Sequence, residues 1–538
     1  MGIYLNNTTA YSLYQSETRN PYFVDKTEIL TELFPLIEQG NRYICITRPR
    51  RFGKTVMANM LGAFLGKGHA SGDLFEKLAV SRHEDYRKHL NRHDVIDISF
   101  NELPRRGKTY AEYIERIENK LIRDLKQAYP DCQIQDEDAV WDALTEIYET
   151  AGHTKFIFIL DEWDFIFHRD FVSEEDKREF ISFLSNLLKD KPYVSLAYMT
   201  GILPIAKYSS GSELNMFLEY SMASQPQFGD YFGFTEAEVD RLYERYIRLA
   251  VNPGISREEL RVWYDGYHTR SGERMYNPRS VVAALCNNQI GSYWTSSGPY
   301  DEIFYYIEKN VDDVRDVLAL MVAGEAVPAK VEEYAATSMN LDTKDEILSA
   351  MVVYGFLSCE DGKVSIPNKE LMNQFGRMVQ KENSLGYVYR LARESDRMLA
   401  ATLAGNTEIM EEILSYVHDT ETPLLNYNQE AELSAIVNLA YLSARDQYDI
   451  QREDKAGIGY VDFIFYPKIN NRADGIILEL KVDDTPEHAI QQIIDRKYAL
   501  RFKGKLGETS LYTGRLLLVG IGYEKGTKVH RCKVKVMK

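Results

Sequence analysis

Two widely separated stretches of this 538-residue chain carry residue types suited to handling phosphates. The first is Ile44-Cys45-Ile46-Thr47-Arg48-Pro49-Arg50-Arg51-Phe52-Gly53-Lys54-Thr55, which reads as a buried strand, a short basic loop and a Gly-Lys-Thr that opens a helix. In a phosphate loop, backbone N–H groups cradle the anion, a lysine reaches the terminal phosphate oxygens and a hydroxyl binds magnesium. Gly53, Lys54 and Thr55 fit those roles. Arg48 stands where such loops begin with glycine, and Pro49 pushes Arg48 toward extended geometry. Arg48, Arg50 and Arg51 either add charge to the phosphates or face a partner. Arg48 through Thr55 are thus the candidate nucleotide-binding loop, with ATP as the expected ligand. A second Gly-Lys-Thr, Arg105-Arg106-Gly107-Lys108-Thr109, competes with it. The first is preferred because its following helix is nearly apolar, as a helix buried against a sheet should be, whereas Tyr110–Leu125 is ordinarily amphipathic.

Such a loop needs an acidic partner. Phe156-Ile157-Phe158-Ile159-Leu160-Asp161-Glu162 reads as a central strand ending in two carboxylates. Asp161 is expected to hold Mg²⁺ together with Thr55, and Glu162 to polarise the attacking water. Thr200, closing the strand Val194–Thr200, is either a polar sensor of the γ-phosphate or a strand-terminal turn residue. Asp164 reads as structural.

The second stretch is Tyr460-Val461-Asp462-Phe463-Ile464-Phe465 followed by Ile476-Ile477-Leu478-Glu479-Leu480-Lys481. A strand, a loop and a strand bring Asp462 and Glu479 to one end of a twisted hairpin. Their apolar neighbours make an unpaired carboxylate costly, and a shared cation relieves that cost. Glu479 and Lys481 alternate and so share a strand face. A hard oxygen site for Mg²⁺ beside a lysine suits phosphodiester hydrolysis. Glu432, on the preceding helix, is a further candidate ligand. Gln492 and Tyr498, expected on the following helix, are either nucleic-acid contacts flanking one groove or ordinary surface positions, since six residues apart they sit roughly 120° off a common face.

The elements that must position these groups fall into three regions. Residues 1–255 alternate strands (Tyr43–Thr47, Val95–Phe100, Phe156–Leu160, Val194–Thr200) with helical patterns (Lys54–Leu65, Tyr110–Gln127, Glu174–Leu188, Glu236–Leu249), which argues for a mostly parallel sheet covered on both faces. Residues 256–425 read as mainly helical, with one hairpin about Asp361-Gly362. That hairpin is either the wing of a winged-helix module or an isolated hairpin. Residues 426–538 read as a compact α/β unit of helix, strand, strand, helix (Pro486–Arg501), strand, strand. The polar, Pro423-containing segment from Asp419 to Asn428 is the expected linker.

Bulk properties narrow the class. Apolar content of 44% suffices for ordinary cores. No run long enough for a transmembrane helix is present, nor is a signal peptide evident. Five scattered cysteines with no Cys-x-x-Cys argue against a disulfide framework or zinc site, and fit a reducing cytoplasm. A net charge of −17 argues against a general nucleic-acid coat. From Arg496 to Lys538, however, there are twelve Lys/Arg against two Asp/Glu. That segment reads either as a phosphate-backbone binder beside the carboxylates or as the solvated surface of a terminal hairpin.

Several phrases resemble bacterial AAA-ATPase-like proteins that carry a C-terminal PD-(D/E)XK nuclease-like domain. They are Tyr22-Phe23-Val24-Asp25-Lys26-Thr27, Arg48 through Thr55, Leu160-Asp161-Glu162, Thr200-Gly201-Ile202, Trp263-Tyr264-Asp265-Gly266-Tyr267, Tyr276-Asn277-Pro278 and Ile366-Pro367-Asn368-Lys369-Glu370. Asp462, Glu479-x-Lys481 and Gln492 through Tyr498 fall on the nuclease-fold pattern. The resemblance implies a P-loop ATPase core, a helical lid and a restriction-endonuclease-like α/β domain. Lys54, Thr55, Asp161 and Glu162 would carry ATPase roles; Asp462, Glu479 and Lys481 would carry nuclease roles. ATP and Mg²⁺ are the implied cofactors, DNA the implied substrate, and homo-oligomers are possible for such proteins. The competing expectation is a nucleotide-switch module whose nuclease fold binds nucleic acid or protein without cleaving.

Overall fold

A computed structural model describes residues 2–39, 42–103, 109–205, 213–222, 227–269, 271–294, 311–331, 341, 343–418, 430–455, 460–468, 472–500, 502 and 514–537. The Lys108 loop and the expected linker around Pro423 lie outside the described residues. The chain divides into two compact units, one of residues 1–299 and 329–370, the other of 300–328 and 371–538. The stretch 256–425 is therefore shared between them. Its hairpin region is tied into the first unit by buried polar contacts, such as Asn368 Nδ2 to the Asp265 carbonyl at 3.0 Å.

The first unit is built on five parallel strands, β1 (Tyr43–Thr47), β2 (Asp94–Ser99), β3 (Phe156–Asp161), β4 (Val194–Gly201) and β5 (Leu218–Ser221), in the order β2-β3-β4-β1-β5. The inner strands β1, β3 and β4 are buried at nearly every position, as a sheet covered on both faces requires, while β5 at one edge, Leu-Glu-Tyr-Ser, is not. Two apolar clusters fill those faces. One packs Ile117, Leu121 and Leu144 beside Phe158; the other packs Leu61, Phe64 and Phe34 beside Ile159. The helices Lys54–Leu65, Glu174–Leu188 and Glu236–Leu249 run over the expected residues. The last two begin with reciprocal capping boxes, Ser173/Asp176 and Thr235/Glu238. Beyond the sheet lie β6 (Phe234–Thr235), β7 (Tyr267–His268) and β8 (Arg274–Tyr276), ordered β6-β8-β7. The hairpin β10 (Ser358–Glu360) and β11 (Lys363–Ser365) turns at Asp361 and Gly362, both with positive φ as such a two-residue turn demands.

The second unit contains the two-residue β9 (Val327–Pro328), a group of helices and a five-stranded sheet. Its strands are β12 (Tyr448–Lys455), β13 (Tyr460–Pro467), β14 (Gly475–Val482), β15 (Leu516–Glu524) and β16 (Val529–Met537), in sequential order. Only β14 and β15 pair in parallel, and the Pro486–Asp495 helix makes the connection between them. Sequence reading does not anticipate β12. Its Tyr-Asp-Ile-Gln-Arg-Glu-Asp-Lys is too polar for a central strand, but suits the edge position it occupies. The Pro486 helix also ends earlier than its pattern suggests, at Asp495, and Lys497 then adopts φ +55°.

Candidate functional site

In the first unit, β1 delivers the basic loop and Gly53 (φ +91°) turns it into the Lys54–Leu65 helix. Lys54 is buried, and its Nζ donates to the carbonyls of Arg48 (2.8 Å) and Pro49 (3.0 Å). Burial lowers its pKa to about 8, against the opposing pull of Asp164, Asp161 and Glu162. Asp161, at the end of β3, is 2% exposed and accepts the Thr200 hydroxyl at 2.5 Å. Burial pushes its carboxyl up, while Thr200, Thr55 and Lys54 counter the effect. Lys54, Thr55, Asp161 and Thr200 thus converge at one end of the sheet. Glu162 follows with φ +54°. Its carboxyl is raised by burial and by Asp161, and is hydrogen-bonded by the Asn101 side chain.

The loop arginines diverge. Arg48, 1% exposed, does not project into the loop mouth. Its guanidinium donates to the carbonyls of Thr47 (2.8 Å), Tyr220 (2.7 Å) and Phe228 (3.2 Å), and lies over the Phe232 ring. The side chain expected either to add charge to the phosphates or to face a partner instead staples β1 to the β5 side of the sheet. Pro49 leads the chain away from it. Phe52 is buried edge-on against Tyr267. Burial lowers the Arg51 pKa, and the like charges of Arg279 and Arg50 lower it further, against the pull of Glu162. Asp164 is structural, its Oδ2 accepting the N–H groups of Ile202 (2.9 Å) and Leu203 (2.8 Å).

In the second unit, the register Ile464↔Ile477 and Phe463↔Leu478 sets Asp462 opposite Glu479 one step further on. Glu479 aligns in turn with Gly520 and Lys533, and Lys481 with Gly522 and Arg531. These residues share one sheet face, over which the Pro486–Asp495 helix runs. A Cβ at Gly520 would lie 2.2 Å from the Pro486 carbonyl oxygen, so only glycine admits the helix. The seated helix lets Gln492 donate to Glu479 Oε1, which also lies 3.6 Å from Lys481 Nζ. Asp462 Oδ2 accepts the Leu480 N–H at 2.7 Å. Glu479 is 3% exposed, and burial and the Asp462 charge push its carboxyl up to about 8.

Tyr498 lies beyond the helix end and is fully buried in the core with Ile490 and Phe502, so it offers no base-stacking surface. Its hydroxyl accepts from Arg496 at 3.3 Å. Arg496 is exposed, sits one turn past Gln492 and pulls on the Glu479 charge. Glu432 does not complete a cluster with Asp462 and Glu479: among the described residues no three His, Cys, Asp or Glu side chains gather as metal ligands. Asp462 accepts a backbone N–H and Glu479 a Gln492 side-chain N–H. Along β16, Arg531, Lys533 and Lys535 are exposed at alternate positions, with Lys533 bound to Glu487 at 2.8 Å.

Each site nonetheless suits a hard cation. Asp161 Oδ2 and Glu479 Oε2 are buried carboxylate oxygens without a hydrogen-bond partner among the described residues, and a divalent ion satisfies such atoms. Asn101 and Arg279 escape sequence reading because each acts on a residue distant in the chain, although Arg279 has a local signal in directly following Tyr276-Asn277-Pro278, and Arg496 is foreseen only as the start of the basic C-terminal segment. No described helix is long and apolar enough to cross a membrane.

Comparison with known sequences agrees with this division. Residues 12–210 match the family described as predicted AAA-ATPase, and residues 429–519 match the PD-(D/E)XK nuclease superfamily. An uncharacterised protein from the vnfD 5′ region of Azotobacter chroococcum mcd 1 is 30% identical over 285 residues, 52% of this chain and 51% of that protein. The chain thus spans about half the length of this curated relative. Among solved structures, a Walker-type ATPase, PABY2304 of Pyrococcus abyssi, aligns with 12% identity and a TM-score of 0.37, covering 65% of this chain and 94% of that one. The Aeropyrum pernix ORC2 protein aligns with 11% identity and a TM-score of 0.31, covering 69% and 93%. The chain carries an AAA-ATPase-like segment followed by a segment of the PD-(D/E)XK nuclease superfamily.

Proposed function

We propose that this chain binds and hydrolyses ATP at the Lys54 loop and cleaves DNA at the Asp462–Glu479 site, with nucleotide state gating cleavage. The observation that carries the reading is the same in both places: a buried carboxylate oxygen without a hydrogen-bond partner among the described residues, beside a buried or half-buried lysine, Asp161 with Lys54 and Glu479 with Lys481. Bound Mg²⁺, held by Thr55 and Asp161 in one site and by Asp462 and Glu479 in the other, would supply charge neutralisation and an acidified water. Lys54 leaves the Arg48 and Pro49 carbonyls to meet the terminal phosphates. Glu162, held off by Asn101, orients the attacking water once released. Thr200 keeps Asp161 oriented through its hydroxyl. Lys481 and Arg496 bind the scissile phosphate, while Gln492 fixes Glu479. The exposed cations of β16 serve the phosphate backbone at a distance, which makes binding salt-dependent.

The decisive experiment is cleavage of supercoiled, linear and single-stranded DNA with Mg²⁺, with and without ATP, by the wild type and Glu479→Ala. Cleavage that is lost in the variant and altered by ATP supports the full reading. Wild-type inactivity on every substrate defeats the nuclease assignment.

One observation favours a second reading, a nucleotide-switch module that binds nucleic acid or protein without cutting. Asp462 already spends an oxygen on Leu480, and no third acidic ligand stands by among the described residues. Retained nucleotide and DNA binding with no cleavage under any condition selects it.

A further inference from the structure

Trp294 touches the basic loop from far along the chain. Its indole Nε1–H donates to the Arg50 carbonyl at 3.1 Å. Its backbone N–H donates to Glu370 Oε1 at 2.6 Å, and Glu370 Oε2 accepts the Ser280 hydroxyl at 2.8 Å. Ser280 adjoins Arg279, in the first turn of the Pro278–Asn287 helix, where the Asn277 side chain accepts the Ser280 N–H at 3.1 Å. The indole ring meets Phe356 edge-on at 5.1 Å. Glu370 is only 2% exposed. A carboxylate withdrawn from water this far is tolerated where donors surround it, and here Trp294 and Ser280 supply them.

The loop needs such a hold because of Lys54. Its ammonium now satisfies the Arg48 and Pro49 carbonyls, and it must abandon both to reach a phosphate. The Arg50 carbonyl has a separate side-chain donor, Trp294, which does not move with Lys54. Released, that carbonyl is free to rotate toward the loop mouth, where its partial negative charge opposes a phosphate.

We propose that Trp294, fixed by Glu370, is a positioning residue that holds the Arg50 carbonyl out of the phosphate site and sets the loop for nucleotide. The proposal rests on the nucleotide-binding reading above. It adds a clasp formed by residues that no phosphate-loop pattern contains.

The test titrates an N-methylanthraniloyl-ATP probe into the full chain, as wild type, Trp294→Phe, Glu370→Gln and Glu370→Ala. Intrinsic tryptophan emission and melting without nucleotide are followed in parallel. Loss of one hydrogen bond predicts that Trp294→Phe binds about three- to tenfold more weakly, with a modest drop in melting from the smaller buried ring. Its KM for ATP should rise more than its kcat falls. Glu370→Gln, which retains acceptor and shape, should behave as wild type; Glu370→Ala should match Trp294→Phe in affinity but melt lower, because the buried Trp294 N–H and Ser280 hydroxyl lose their acceptor. Trp163, directly after Glu162, also lies at the site, so the Trp294→Phe variant should lose part of the nucleotide-dependent emission change. Wild-type affinity and emission response in both Trp294→Phe and Glu370→Ala overturn the clasp. A wild type that binds no nucleotide overturns the underlying reading first, and the clasp with it.

Discussion

The carboxylate of Asp462 accepts the backbone N–H of Leu480 at 2.7 Å, one residue past its cross-strand neighbour Glu479. The leading acid of the C-terminal site therefore also completes a hydrogen bond where the β13–β14 ladder ends. Asp462→Ala should lose both functions. Cleavage falls by about 10²-fold or more if the group acts on the reacting water. Stability falls by about 1–3 kcal/mol, because the buried N–H is left unpaired. Asp462→Asn keeps an acceptor, so it should retain the melting temperature while still losing cleavage. Full cleavage by the Asn variant would remove Asp462 from the chemistry.

Glu479 gives the second prediction. Its folded pKa of about 8 exceeds the ordinary 4.5, through burial first and the Asp462 charge second. Between those values the folded chain holds a proton that the unfolded chain has released, so stability falls as pH rises through this window. Glu479→Gln removes that dependence. Its melting temperature relative to wild type should climb from pH 5 to pH 8 and level off above. Mg²⁺ binding at pH 7 should release a proton from the wild type and none from the variant, which calorimetry in two buffers of different ionisation enthalpy reads directly. A parallel pH profile for wild type and variant would refute the buried-acid assignment.

The catalytic framework is legible in the sequence because it is local. The run Phe156 to Glu162 is apolar and then acidic, and the Lys54 helix is apolar on nearly every position, so the parallel core and its carboxylate end follow from patterning alone. What the sequence conceals depends on long-range packing. Arg48 looks like a phosphate ligand by position, yet Tyr220 and Phe228 supply carbonyls that draw it inward. Tyr498 looks helical and exposed, yet the helix stops at Asp495 and the apolar pocket around Ile490 and Phe502 takes the ring. β12 is missed because an edge strand needs only half the apolar pattern of a central one. Trp294 and Arg50 lie too far apart in sequence for any periodicity to connect them.

Lys54, at a pKa of about 8 rather than 10.5, is partly neutral in mildly alkaline solution because burial disfavours its charge. From about pH 8 to 10.5 the unfolded chain binds the extra proton, so Lys54 disfavours folding most at low pH and its penalty fades as pH rises through that range. A phosphate brought against the ammonium restores the charge. ATP binding near pH 8.5 should therefore take up a proton, and affinity should weaken as pH rises further. Calorimetry in paired buffers checks the first, and a pH series of dissociation constants the second. Lys54→Ala should abolish both effects along with most of the binding. Identical proton uptake in the variant would locate the titrating group elsewhere.

Arg48 and Arg50, two residues apart, should behave oppositely. Arg48→Ala strands the buried carbonyls of Thr47, Tyr220 and Phe228, and we expect a loss of about 2–4 kcal/mol in stability. Arg50→Ala, which truncates a half-buried side chain and strands no buried carbonyl, should cost about 1 kcal/mol or less, while weakening ATP binding. Denaturant melts and nucleotide titration of the two variants separate these effects. A stable Arg48→Ala that loses only nucleotide affinity would reverse the assignment.

Gly520 sits in the same cross-strand row as Glu479 and Lys533, beneath the first turn of the Pro486–Asp495 helix. An alanine Cβ there would meet the Pro486 carbonyl oxygen at 2.2 Å and the Ala489 Cβ at 3.1 Å. Backbone cannot yield as a flexible side chain does, so the helix must lift. Such overpacking costs about 1–3 kcal/mol. The lift carries Gln492 away from Glu479, so Gly520→Ala should lower melting and cleavage together, though neither residue of the contact is altered. Gly526→Ala is the matched control, since no atom lies within 4 Å of its added Cβ. Its melting and activity should equal those of wild type. Normal melting and cleavage in Gly520→Ala would mean that the helix does not depend on this close approach to hold Gln492 against Glu479.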